Sequence, residues 1–73
     1  MFKKGDKVKI RKNVEDPNDP FVGRNGVVFK IVPYSANNWV GKAFGGGVIW
    51  VSFDGKGTKG EWGIYGYNSA EKI

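Results

Sequence analysis

A chain of 73 residues with no cysteine and no histidine cannot form disulfides, the usual zinc sites, thiol nucleophiles or imidazole bases. At this length there is room for one small core but not for a core plus a deep catalytic cleft. Twelve glycines favour a turn-rich β fold, and the formal net charge of +5 points to an acidic partner rather than to catalysis.

The first predicted strand is Lys7-Val8-Lys9-Ile10-Arg11. Its alternation places Val8 and Ile10 on one face and Lys7, Lys9 and Arg11 on the other, the cations roughly 6–7 Å apart. Asn13 to Pro20 follows as a polar, acidic, proline-broken loop that cannot be an internal strand. Glu15, Asp16 and Asp19 lack the ligand order of a calcium loop and read as part of a stiff, solvated turn. Gly23-Arg24-Asn25-Gly26 reads as a tight turn, because Asn-Gly readily supplies positive φ angles. The second strand, Val27 to Val32, is almost continuously apolar, which predicts burial on both faces, and Pro33 ends it.

Tyr34 to Gly47, with Trp39 and a run of three glycines, reads as a long loop of the kind that often carries function. In the third strand, Val48 to Phe53, alternation groups Ile49, Val51 and Phe53 and leaves Trp50 and Ser52 on the opposite face. The Asp54-Gly55 turn closes this strand, and residues 56–60 extend that turn. Trp62 to Tyr67 forms strand four, with Tyr65 and Tyr67 expected as exposed aromatics on one face. Asn68 to Glu71 reads as one tight helical turn that delivers Ile73 as a last short strand. Neither glycine-rich stretch has the spacing of a phosphate-binding loop, and neither opens a helix. Five short strands joined by glycine-rich turns predict an all-β, five-stranded small barrel, a single domain over residues 1–73.

Lys4, Gly5, Asp6, Val8 and Ile10, then Gly23, Gly26 and Val28, then Val51 and Phe53, follow an order of motifs. In this order the chain resembles the KOW-like, SH3-like small β-barrels. The resemblance runs through most of the chain, mainly at turn and core positions, and so implies the fold more than an activity. Its KOW members contact RNA, DNA or polymerase. The chain is also similar to the cofactor-free docking barrels of photosynthetic electron transport and to small phage and bacterial proteins of unknown role.

Residues 3–13 hold six basic side chains and one acid, a net of +5, while the rest of the chain holds six of each sign. Lys3, Lys4, Lys7, Lys9, Arg11 and Lys12 therefore make up the candidate nucleic-acid-binding patch, in which cations neutralise backbone phosphates. A solvated strand face guarded against edge pairing carries lysines as well. Trp39 and Trp50 are the candidate stacking residues, since single strands bind where rings and cations adjoin. The same rings also suit a protein hot spot.

The leading expectation is thus a non-enzymatic protein without cofactor or metal that binds DNA or RNA with little sequence preference. The alternative is a docking or regulatory module for a larger, acidic protein partner. No apolar run approaches the roughly 18 residues of a membrane span. Met1-Phe2-Lys3-Lys4 opens no signal-peptide core. A soluble, cytoplasmic chain, complete from its own start, is expected. Oligomeric state is open.

Overall fold

The computed structural model describes residues 2–13, 16–33 and 45–73. Five strands are present: β1 Lys7–Ile10, β2 Asn25–Pro33, β3 Gly47–Ser52, β4 Trp62–Gly66 and β5 Ala70–Lys72. They form one antiparallel sheet in the order β4-β3-β2-β1-β5. The first four strands are a meander, and β5 returns to pair with β1. Short 3-10 turns at Gly57–Lys59 and Tyr67–Ser69 are the described helical elements. The chain is all-β, as its turn-rich sequence predicts. No helix among the described residues is long and apolar enough to cross a membrane.

Every strand sends a side chain into one core. Val8 and Ile10 come from β1, Val28 from β2, Ile49 and Val51 from β3, Tyr65 from β4 and Ala70 from β5. A flat sheet could not bring its first and last strands into one cluster, so the sheet curls around this core. In β1 and β3 the expected alternation holds, with Val8, Ile10, Ile49 and Val51 inward. Phe21 stacks on Phe53 at 4.3 Å, and Phe53 meets Tyr65 edge-on at 6.2 Å. Arg24 lies 5.3 and 5.5 Å from the centroids of Phe21 and Phe53 and reaches Glu61 at 3.5 Å.

β2 departs from the expectation of burial on both faces. Val27 and Lys30 are exposed, and the pairing steps from Val28↔Val51 to Lys30↔Trp50, leaving Phe29 as an extra residue. This β-bulge shifts the alternation, so Lys30 joins the outer face while Ile31 pairs with the inward Ile49. A continuous apolar run carries no period from which such a shift can be read.

The turn before β2 also sits earlier than expected. It spans residues 20–23, with Gly23 at φ +89°, while Asn25 and Gly26 already belong to β2. Gly26 is instead needed for close packing. A Cβ there would lie 2.5 Å from Val51 Cγ1 and 2.8 Å from the Ser52 carbonyl oxygen.

At the other end of the chain, the 3-10 turn falls one residue earlier than the predicted helical turn. β5 then covers Ala70–Lys72. Ile73 donates its N–H to the Lys7 carbonyl at 3.0 Å, which extends the pairing past β5. Most of the loop expected from Tyr34 to Gly47 lies outside the described residues. Gly47 itself opens β3.

Candidate functional site

Cross-strand register defines the outer face of the sheet. One row runs Lys7–Val27–Ser52–Trp62 across β1, β2, β3 and β4, and the next holds Lys30–Trp50–Ile64. Lys9 pairs with Asn25 on one side and Glu71 on the other. Lys4, Lys7, Lys9 and Lys12 are exposed and form no ion pair among the described residues. Lys7 and Lys9 thus share a continuous surface with the tryptophans of β3 and β4. Glu71 is the acid nearest in register, directly opposite Lys9.

The six candidate cations do not form a single straight row. Lys3 and Lys4 sit in the turn before β1, where the Lys3 N–H donates to Asp6 Oδ2 at 2.9 Å. Arg11 lies beyond the end of β1, and its Nη2 donates to the Asn68 carbonyl at 2.6 Å. The N–H groups of Arg11 and Lys12 both reach the Ser69 carbonyl, at 2.7 and 3.4 Å. The chain after Ile10 thus keeps its pairing toward the 3-10 turn Tyr67–Ser69, and Arg11 is exposed like Lys7 and Lys9.

Trp50 is half-buried within an aromatic cluster. Trp62 stacks on it at 5.0 Å with planes 25° apart, a diagonal cross-strand contact. Phe29, displaced outward by the bulge, meets Trp50 and Trp62 edge-on at 6.1 and 6.2 Å. Lys30 places its ammonium 4.3 Å from the Trp50 centroid, in cation–π range. Ile64, 46% exposed, extends the apolar surface on β4. The turn carrying Lys56 and Lys59 approaches this cluster, because a Cβ on Gly57 would touch Phe29 at 3.8 Å. Trp39 lies outside the described residues.

Beside the cluster is a groove of about 330 Å³ lined by Lys7, Asn25, Val27, Ser52, Phe53 and Ile73, among others. Val27 and Ile73 are 40% and 70% exposed and provide apolar walls. Ser52 Oγ accepts N–H bonds from Gly55 and Gly57 at 3.1 and 3.2 Å.

Three carboxylates are used to hold loops in place. Backbone N–H donation from Lys3, aided by the Lys72 ammonium at 3.4 Å, keeps Asp6 below the usual carboxylate range. Donation from the N–H groups of Glu61 and Lys56, both at 2.9 Å, does the same for Asp54. Burial opposes the charge of Asp19, but bonds from Asn13, Tyr65 and the Phe21 N–H outweigh it and lower the pKa. Asp19 is therefore an anchor for the acidic loop rather than part of a wholly solvated turn. Tyr65, expected to share an outer face with Tyr67, is in the core, while Tyr67 lies in the 3-10 turn. Burial and the bond to Asp19 push the Tyr65 hydroxyl pKa up.

Phe29, Lys30 and Trp62 carry no site signal in the sequence, and Asn25 belongs to β2 and the groove rather than to the expected turn. A lone lysine inside the apolar run 27–32 is the one signal that pointed outward there. Trp62 falls opposite Ser52 once the hairpin through Asp54-Gly55 is given its register. Compared with known proteins, the chain matches no protein-family model, no curated protein and no solved structure.

Proposed function

We propose that this chain is a non-enzymatic, KOW-like or SH3-like barrel that binds nucleic acid in the cytoplasm, largely electrostatically and with little sequence preference. The observation that carries this reading is the shared outer face. Lys7 and Lys9, free of ion pairs among the described residues, adjoin a surface on which Phe29, Trp50 and Trp62 cluster under Lys30. Cations hold phosphates and rings accept bases, which is the pairing that single strands require. Lys3, Lys4 and Lys12 extend the field along the same end of the sequence, and Arg11 adds charge while tethered to Asn68.

Trp50 sits at the centre of the cluster, stacked on Trp62, met edge-on by Phe29 and covered by Lys30. Trp50 in this reading supports the platform. A filter-binding titration of a mixed-sequence oligonucleotide over a salt series tests the proposal. Affinity should fall linearly on log–log axes as salt rises. Absence of binding at low salt would overturn it.

A docking role for an acidic protein partner is the second reading, favoured by the exposed Ile64 beside the aromatic cluster. A pull-down from nuclease-treated extract separates the two. A partner that survives the nuclease supports docking, and loss of every partner supports nucleic acid.

A further inference from the structure

We propose that the groove between β5 and β3 receives an unpaired base, so that the preferred ligand is a single strand crossing the sheet from Lys7 toward Trp62. This rests on the nucleic-acid reading above and names its ligand class. The groove occupies the row Lys7–Val27–Ser52, with Ile73 beside Lys7, and Trp62 ends that row on β4. Three strand spacings of about 4.8 Å separate Lys7 from Trp62, a track of about 14 Å.

Each lining group has a complementary part in such a ligand. Val27 and Ile73 give apolar walls for the faces of a base. Lys7 lines the groove and is exposed, which suits its charge to a phosphate. Asn25 makes no side-chain hydrogen bond among the described residues, so its amide offers both a donor and an acceptor to a base edge. Ser52 is only 6% exposed. Its oxygen already accepts two N–H bonds, which leaves its hydroxyl hydrogen for an acceptor.

The same features exclude a duplex from the groove. Bases in a duplex are stacked and show only their edges, whereas apolar walls are useful only against an exposed base face. A groove of about 330 Å³ is also far too small for a helical backbone pair. Charge alone would not discriminate, since a duplex carries the higher phosphate density.

The test uses the full chain and fluorescence anisotropy at low salt with four labelled probes: dT12, rU12, an abasic deoxyribose-phosphate 12-mer, and a 12-base-pair duplex. The expected result is that dT12, rU12 or both bind about five- to a hundredfold tighter than the abasic strand, the range one stacked base contributes. The duplex should bind more weakly than the preferred single strand, and the comparison of dT12 with rU12 separates the two sources of the same chemistry. Asn25→Ala and Ile73→Ala both change exposed side chains and should narrow the preference over the abasic strand without altering the salt slope. Circular dichroism verifies that both remain folded. Equal binding of base-bearing, abasic and duplex probes would overturn the groove while leaving the electrostatic reading standing. Failure of all four probes would overturn both.

Discussion

Lys30 holds its ammonium nitrogen 4.3 Å from the centroid of Trp50, at a strand position that unbroken alternation from Val28 would have turned into the core. The bulge at Phe29 makes this contact. With Val28 inward against Val51, the inserted residue lets Lys30 pair with Trp50 on the outside. One irregular residue thus creates both the edge-on contacts of Phe29 with the tryptophans and the cation above them.

The stacking of Trp62 on Trp50 at 5.0 Å is close enough for their indole transitions to couple. Far-ultraviolet circular dichroism should show an exciton couplet. Trp50→Phe and Trp62→Phe should each abolish it. A couplet that persists in either variant would contradict the pairing.

Tyr65 donates its hydroxyl hydrogen to Asp19 Oδ2 at 2.7 Å, bridging 46 positions of sequence. Tyr65→Phe keeps the ring in the core and removes only this charge-assisted bond. The expected loss is about 1.5–3 kcal/mol of unfolding free energy in urea, the range for hydrogen bonds to charged groups. A change within error would mean that the bond is offset by solvent in the folded protein.

Acid should weaken the fold through the same carboxylate. The folded-state pKa of Asp19 lies below its ordinary 3.8, so the unfolded chain binds a proton more readily than the folded one. The stabilisation from ionised Asp19 is present above that ordinary value and is lost as pH falls through the depressed one. Asp6 and Asp54 shift in the same direction. Asp19→Asn should therefore be less stable than the parent at neutral pH, yet lose stability less steeply below about pH 4. Parallel acid-unfolding curves for the two proteins would contradict this.

The elements legible in the sequence were those with a clear period or a strong breaker. Val8 and Ile10 alternate with lysines, and Ile49 and Val51 alternate with Trp50, so both strands and their inward faces could be read directly. The apolar stretch 27–32 gave no period, which hid the bulge and with it Phe29 and Lys30 as surface residues. The inward position of Tyr65 is not legible from strand four alone, because Trp62 and Ile64 on one face and Tyr65 and Tyr67 on the other are equally suited to a core. Of the candidate site, the lysines of β1 were legible as a charge excess. The groove was not, because it is assembled from Lys7, Val27, Ser52 and Ile73, which only the cross-strand register brings together.

Gly26, in β2 rather than in the turn that Asn-Gly predicts, has room only for a hydrogen in place of a side chain. Gly26→Ala would push a methyl group against Val51 Cγ1 and the Ser52 carbonyl oxygen. Overpacking of this kind costs about 1–3 kcal/mol, measurable as a lower urea midpoint with an unchanged slope. Unaltered stability would show that β3 can yield at that point.

The central claim is that the unpaired lysines of β1 neutralise phosphates beside the aromatic face. Its most direct test is the salt dependence of single-strand binding by the parent chain and by Lys7→Gln/Lys9→Gln. Each phosphate contact on a single strand contributes about 0.7 to the log–log slope. Removal of two should weaken binding at low salt and flatten the slope by about 1.4. An identical slope and affinity in the two proteins would contradict the account.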